Sequence, residues 1–212
     1  RERQPIIWVN GPPGSGKTTL VASYLESRNA RTFWYQVDEG DRDPATFFHY
    51  LTQLARQSKK HKKRHLPVLT SDYLPHLTGF ARRYFRELFA QLGSNAMLVL
   101  DNCQDAAAQA FNLILREACE ELPQGSCLIA LSRSTLPDEL ARHVANQRVL
   151  CLGWNELQLT HQEIRGIAKL SSQQVHAFHA QCKGWVAGLV LLLANRDSTR
   201  THRTTPNENS KE

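Results

Sequence analysis

The sequence Gly11-Pro12-Pro13-Gly14-Ser15-Gly16-Lys17-Thr18-Thr19 lies near the start of the 212-residue chain and matches the pattern G-x-x-x-x-G-K-[ST]. Glycines in such a loop let successive backbone N–H groups turn inward and cradle phosphate oxygens. Lys17 then reaches the β- and γ-phosphates of a nucleotide, and the Thr18 hydroxyl takes one position on Mg²⁺. The pattern predicts a phosphate-binding loop made by all nine residues; the alternative is a glycine turn with an incidental lysine.

The residues on either side of this loop support the first interpretation. Ile6 to Val9 have the composition of a buried strand, and Thr18 to Glu26 have the pattern of a helix with Leu20, Val21 and Leu25 inward. A strand, a glycine loop and a helix in this order are the context that the pattern requires. The positive N-terminal end of the helix, beginning at about Lys17, points to the same anion site.

Further apolar runs predict a parallel sheet. Continuous rather than alternating apolarity is typical of strands buried on both faces, and the runs, including the first, alternate with helical patterns. We therefore predict an α/β fold, a doubly wound five-stranded parallel sheet of the P-loop NTPase type, over residues 1–153. The four further strands are expected at Thr32 to Val37, Ala96 to Leu100, Cys127 to Leu131 and Arg148 to Leu152. The helices between them are expected from Pro44 onward and at Leu77 to Leu92, Ala106 to Glu121 and Pro137 to Ala145.

The pattern changes after residue 153. Thr160-His161-Gln162-Glu163 is a capping box that opens a helix. Two more helices are expected at Ser172 to Cys182 and at Trp185 to Asn195, the last with Val186, Leu189, Val190 and Leu193 inward. Residues 154–195 are therefore predicted to form a small helical lid subdomain, followed by a disordered polar tail at 196–212.

Asp101 is the expected partner of the loop. It directly follows a buried apolar run, where P-loop proteins place the carboxylate that holds magnesium; a structural strand cap is the alternative. Asn102 follows it, and an amide cannot act as a general base. Asp105 is the nearest carboxylate that can replace the missing base, or it is the N-cap of the helix expected from Ala106.

Arg133 is the third predicted site residue. Ser132-Arg133 ends another apolar strand, and ligands of doubly wound sheets collect at the carboxyl ends of strands. A guanidinium there can contact the γ-phosphate and report its presence. The alternative is a surface arginine in a loop. The predicted catalytic set is thus Lys17, Asp101 and Arg133, with Thr18 and Asp101 on the metal.

Composition excludes several other classes of protein. The net charge is +6, but five of the basic residues lie between Ser58 and His65, so the basic character is local and indicates a solvated loop more than a nucleic-acid surface. The five cysteines lack the spacing of a zinc site; Cys127 and Cys151 are expected to be buried thiols. No apolar run is long enough for a membrane span, and free thiols indicate the cytoplasm.

Six segments together resemble the nucleotide-binding domain of STAND ATPases, and among these the MalT-like, large LuxR-type transcriptional regulators. The similarity covers nearly all of residues 5–195, and the second and last segments are its most particular parts. The segments are Gly11 to Thr19, Trp34-Tyr35-Gln36-Val37-Asp38-Glu39-Gly40-Asp41, Leu98-Val99-Leu100-Asp101, Leu131-Ser132-Arg133, Leu157 to Glu163 and Gly184-Trp185-Val186-Ala187-Gly188-Leu189.

The resemblance implies a signalling switch. In such proteins ADP holds a resting form, ATP with Mg²⁺ permits self-association, and slow hydrolysis resets the switch. It also implies that the segment from Gly184 to Leu189 approaches the nucleotide, and that this chain is a fragment of a protein with winged-helix, sensor and DNA-binding effector domains. Relatives commonly have two adjacent acids where this chain has Asp101-Asn102, which affects the expected hydrolysis rate more than binding.

Other functions remain open from sequence. A stand-alone AAA+-type ATPase or loader acting on nucleic acid or protein shares the loop and the arginine. A small-molecule kinase needs an acceptor pocket and a base, for which no residues are evident. A nucleic-acid binder would use the basic Ser58 to His65 segment.

Overall fold

A computed structural model describes residues 4–28, 31–57, 65–168 and 170–201. The chain divides into two compact units. The first comprises residues 1–11 and 17–153, and the second comprises residues 12–16 and 154–212. The middle of the glycine loop therefore belongs to the same unit as the C-terminal helices.

The first unit contains one parallel sheet of five strands, in the order β2-β3-β4-β1-β5. The predicted fold class, an α/β P-loop NTPase sheet, is confirmed. The strands are β1 (Ile6–Asn10), β2 (Thr32–Gln36), β3 (Met97–Asp101), β4 (Cys127–Ser132) and β5 (Val149–Leu152). The helices of this unit are α1 (Lys17–Ser27), α2 (Pro44–Gln57), α3 (Leu77–Leu92), α4 (Gln109–Glu120) and α5 (Ala141–Ala145).

Three short 3₁₀ segments connect these elements, at Glu39–Arg42, Ser71–His76 and Asp138–Leu140. The last of them replaces the first turn of the helix predicted from Pro137. Helix α2 begins as predicted, because Asp43 accepts hydrogen bonds from the backbone N–H groups of Ala45 and Thr46.

The core of the first unit lies between the sheet and α2, α3 and α4. β3 and β4 are buried along their whole length, which explains the uninterrupted apolar runs from Met97 to Leu100 and from Cys127 to Leu131. Aromatic rings from α2 and α3 pack edge to face or tilted, with centroids 4.6 to 6.2 Å apart. They belong to Phe48, Phe80, Tyr84 and Phe85.

Two predicted core positions in the first unit are wrong. Leu20 is 49% exposed, whereas Val21 and Leu25 of the same helix are buried. Cys151 is exposed because β5 is the edge strand beside β1, while Cys127 in the central strand β4 is buried as predicted.

The second unit has a small helical core of its own. Its helices are α6 (Trp154–Leu157), α7 (His161–Ala168), α8 (Ser172–Cys182) and α9 (Val186–Thr201). The predicted capping box is present: the backbone N–H of Thr160 donates to Glu163 at 2.7 Å, and that of Glu163 donates to the Thr160 hydroxyl at 3.3 Å. Ile164, Val175 and Leu189 are the centre of the core.

The last helix differs from the prediction in two respects. It continues to Thr201, beyond the expected end at Asn195, so the tail predicted from residue 196 begins too early. Val190 is 57% exposed rather than inward, whereas the neighbouring Leu189 is buried. Residues 202–212 of the predicted tail, and residues 58–64 of the basic loop, lie outside the described part of the chain. No helix within the described ranges combines the length and apolarity that crossing a bilayer requires.

Candidate functional site

Lys17 folds back on the loop that precedes it. Its Nζ donates to the carbonyl oxygen of Gly11 at 2.8 Å, and the Gly11 backbone N–H donates to the Ser132 carbonyl at 3.3 Å. These bonds tie both ends of the glycine loop to the end of β4. Burial lowers the pKa of Lys17, and the positive charge of Arg133 lowers it further, against the opposing effect of Asp101. An anion beside this ammonium group would stabilise its charged form.

Asp101 and Thr18 meet at the carboxyl end of β3. The Thr18 hydroxyl donates to Asp101 Oδ2 at 3.1 Å, and the Asn102 backbone N–H donates to Asp101 Oδ1 at 2.9 Å. Asp101 is only 3% exposed. The fold of the first unit thus brings the predicted carboxylate together with Thr18 of the predicted motif.

The Asp101–Thr18 pair fits magnesium. Hydroxyl and carboxylate oxygens are the ligands that Mg²⁺ prefers, and two neighbouring ligands of an octahedral ion lie about 3 Å apart. Among the described residues, no group of three or more His, Cys, Asp or Glu side chains forms a metal cage. In nucleotide sites Mg²⁺ usually takes its remaining ligands from phosphate and water.

The segment after β3 does not have the predicted form. Asp105 is not a helix N-cap, because α4 begins only at Gln109 with Ala108 at the cap position. Asn102 instead adopts a left-handed conformation, with φ of 62°, and its carbonyl accepts from the Asp105 backbone N–H at 2.9 Å. This turn ends the strand and delays the helix. The role of Asp105 as a replacement base stays a prediction.

Gln104 connects this segment to Arg133 and was missed from sequence. Its Oε1 accepts from the Arg133 backbone N–H at 2.9 Å, and its Nε2 donates to Asp105 Oδ1 at 3.0 Å. The Arg133 side chain is exposed and its charge acts on Lys17. Arg133 therefore fits both sequence interpretations, as a surface residue whose guanidinium influences the loop lysine. A lone glutamine in a loop carries no signal that predicts such a bridge.

The acidic segment after β2 forms a capping box at the start of the 3₁₀ segment Glu39–Arg42. The Tyr35 hydroxyl donates to Asp41 Oδ1 at 2.7 Å, and the Asp38 backbone N–H donates to Asp41 Oδ2 at 2.9 Å. Burial raises the pKa of Asp41. From the end of this cap, Arg42 Nε donates to the Asp105 carbonyl at 3.0 Å. The segments that follow β2, β3 and β4 are therefore joined by side-chain hydrogen bonds.

The middle of the loop lies in the second unit. Gly14 and Gly16 have φ angles of +69° and +85°, which explains why glycine occupies both positions. The Ser15 backbone N–H donates to the Pro12 carbonyl at 3.3 Å and closes a tight turn. Thr19, the last residue of the predicted set, is exposed in the first turn of α1.

The chain is similar to known proteins in sequence and in structure. The profile of the AAA domain family matches residues 1–142. The chain is 28% identical over 208 residues to the HTH-type transcriptional regulator MalT of Serratia proteamaculans (strain 568), in an alignment covering 88% of this chain and 21% of that protein. The chain thus spans about a fifth of the length of this relative. A crystal structure of a DNA replication initiation factor matches over 95% of this chain and 59% of the other, with a TM-score of 0.46 and 13% identity.

Proposed function

The chain belongs to the AAA domain family, and from this premise we propose that it binds ATP and ADP through the loop from Gly11 to Thr19 as the nucleotide switch of a transcriptional regulator. The observation that carries the proposal is the Thr18–Asp101 contact of 3.1 Å beside the partly buried Lys17. A cationic lysine, two hard oxygens and a glycine bend are together suited to a polyphosphate with magnesium.

Each side chain has a separate part in the proposal. Lys17 exchanges its bond with the Gly11 carbonyl for phosphate oxygens. Thr18 and Asp101 hold Mg²⁺, which when bound neutralises charge on the phosphates. The Arg133 guanidinium, exposed and electrostatically coupled to Lys17, contacts the γ-phosphate and so distinguishes ATP from ADP.

Hydrolysis is proposed to be slow. Asn102 follows Asp101, and its amide side chain cannot accept a proton from water. Asp105 is the nearest candidate base, but its carboxylate is held by Gln104. A slow reaction suits a switch that is reset by hydrolysis rather than a motor.

The wider setting is proposed from the relative. The name of the aligned protein describes an HTH-type transcriptional regulator, and this chain corresponds to about a fifth of it. We place the chain in the cytoplasm, coupled to winged-helix, sensor and DNA-binding effector domains of the same protein. ADP would hold the resting state, and ATP would allow self-association and transcription activation.

The test of nucleotide binding is equilibrium titration of ATP and ADP into the chain and into Lys17→Ala. Loss of the charged hydrogen bonds to phosphate is expected to weaken both nucleotides by at least about 100-fold. Arg28→Ala is a matched control, since Arg28 is an exposed cation at the other end of α1. Undiminished affinity in the Lys17 variant would refute the proposed site.

A stand-alone AAA+-type ATPase or loader is the second candidate, favoured by the family match over residues 1–142. The two functions differ in turnover. Hydrolysis on the order of tens of ATP per second would favour the AAA+ machine, within the usual range of enzyme turnover. Hydrolysis near one event per minute or slower, with a larger particle in ATP than in ADP, would favour the switch.

A further inference from the structure

The N-terminal end of α9 holds the glycine loop by its carbonyl groups. Trp185 Nε1 donates to the Pro13 carbonyl at 3.0 Å, and the Ala187 backbone N–H donates to the Gly14 carbonyl at 3.0 Å. The four residues lie in one compact unit. Ala187 lies in the first turn of α9, where backbone N–H groups have no partner within the helix. The Gly14 carbonyl therefore caps α9 at the same time as α9 fixes the loop.

The approach is close enough that side chains on the loop would obstruct it. A Cβ on Gly14 would lie 2.6 Å from Ala187 Cβ, and one on Gly16 would lie 3.2 Å from Val186 Cγ2. The glycines thus serve a second purpose besides their positive φ angles, since they let α9 reach the loop backbone.

Holding a carbonyl also orients the next amide. The C=O of one residue and the N–H of the next share a planar peptide group and point in opposite directions. The bond from Trp185 to the Pro13 carbonyl therefore directs the Gly14 N–H away from the indole. The bond from the Ala187 N–H to the Gly14 carbonyl likewise directs the Ser15 N–H away from α9. The Ser15 N–H donates to the Pro12 carbonyl.

A turn at Gly184, held by two backbone hydrogen bonds, determines the position of Trp185. Gly184 has φ of +74°, and a Cβ there would lie 3.0 Å from both the backbone nitrogen and the carbonyl oxygen of Leu159. The Gly184 carbonyl accepts from the Leu159 N–H at 2.9 Å, and the Trp185 N–H donates to the Cys182 carbonyl at 2.8 Å. Trp185 is nevertheless 37% exposed, so burial alone does not account for its place.

We infer that Trp185 is a positioning residue of the phosphate-binding loop: its indole N–H holds the Pro13 carbonyl and thereby presents the Gly14 amide for a phosphate oxygen. The effect on nucleotide rests on the proposed function, whereas the ordering of the loop does not. Trp185 acts through the loop and needs no contact with the nucleotide.

The experiment compares Trp185→Phe with Trp154→Phe. Phenylalanine keeps an aromatic ring but removes the N–H donor, and Trp154 lies in the same unit as a matched control. The first measurement is amide hydrogen exchange of a peptide covering residues 11–18 in nucleotide-free protein. The second is the dissociation rate of a fluorescent ADP analogue. Circular dichroism checks that both variants are folded.

Trp185→Phe is expected to raise loop exchange and nucleotide dissociation by about 3- to 10-fold, the effect of one hydrogen bond, with Trp154→Phe near wild type. If loop exchange in Trp185→Phe equals that in Trp154→Phe, the inference is overturned. If loop exchange rises but even the wild-type chain binds no nucleotide, the positioning role stands and the proposed function fails. If exchange rises and nucleotide dissociation is unchanged, the claim that the held amide serves the phosphate is overturned.

Discussion

Asp101 ends β3 and Asp41 follows the neighbouring strand β2, yet these two buried carboxylates have different surroundings. They are 3% and 2% exposed, and each accepts one backbone N–H and one side-chain hydroxyl. The hydroxyl partner of Asp101 is Thr18, the last residue of the lysine-containing motif. The hydroxyl partner of Asp41 is Tyr35, a residue of the hydrophobic core, and Asp41 itself is part of the capping box of the 3₁₀ segment. Burial and hydrogen bonding are therefore common to both carboxylates, and the element that supplies the hydroxyl distinguishes Asp101, the proposed magnesium ligand, from Asp41.

Of the changes that test this comparison, the largest effect is expected on magnesium-dependent binding. Asp101→Asn keeps the shape of the side chain but removes the charge that a divalent ion needs. We expect affinity for ATP with Mg²⁺ to fall by about 10- to 100-fold, while the affinity without Mg²⁺ changes little. Calorimetric titration with and without EDTA measures both. Equal losses in the two conditions would assign Asp101 a structural role like that of Asp41.

Tyr35→Phe tests the other carboxylate. Without the Tyr35 hydroxyl, the buried Asp41 carboxylate loses one of its two hydrogen-bond donors, so the free energy of unfolding should fall by about 1–3 kcal/mol. Nucleotide affinity should stay at the wild-type value. Urea denaturation measures the change, and Tyr50→Phe, at a tyrosine that is 53% exposed, is the matched control. A variant with normal stability but weakened nucleotide binding would place Asp41 in the site.

A third carboxylate, the exposed N-cap Asp43, gives a smaller effect that depends on pH. Hydrogen bonds from the Thr46 side chain and the backbone N–H groups of Thr46 and Ala45 lower its pKa in the folded chain. A carboxyl group whose pKa is lower in the folded chain stabilises the fold at pH values above its unfolded-state pKa. This stabilisation is lost as the pH falls through the folded-state pKa. Asp43→Ala should therefore cost about 1 kcal/mol at pH 7 and less near pH 3. An equal cost at both pH values would contradict the ionised cap.

The smallest expected effect concerns selectivity. Arg133→Ala should weaken ATP by about 3- to 5-fold and leave ADP unchanged, because an exposed guanidinium contributes little beyond its one phosphate contact. The ratio of the two dissociation constants measures this, with Arg142→Ala as an exposed control. A change of the same size for ADP would remove the γ-phosphate role.

The sequence was sufficient for the strands and for the arrangement of Lys17, Thr18 and Asp101. Uninterrupted apolar runs predict β3 and β4 because strands buried on both faces are almost continuously hydrophobic. Parallel topology then brings the ends of strands to one edge of the sheet. Helix α3 has the bounds Leu77–Leu92 that its apolar spacing predicts.

Features that depend on tertiary contacts could not be predicted from the sequence. The start of α4 was misplaced because residues 103–106 form turns, in which the backbone N–H groups of Asp105 and Ala107 donate to the carbonyls of Asn102 and Gln104. Leu20 and Val190 were predicted to be buried but are exposed. The spacing of apolar residues shows which side of a helix faces the core, but not how much of that side the neighbouring elements cover. The contact of Trp185 with Pro13 joins residues far apart in sequence, and no local pattern predicts it.

Titration of AMP, ADP and ATP into the wild-type chain, each with Mg²⁺, tests most directly whether the glycine loop is a polyphosphate site. The proposed function predicts one site per chain, with AMP at least about 10-fold weaker than ADP and ATP, since the loop and Lys17 bind the phosphates beyond the first. Equal affinity for the three nucleotides, or no binding of any of them, would contradict it.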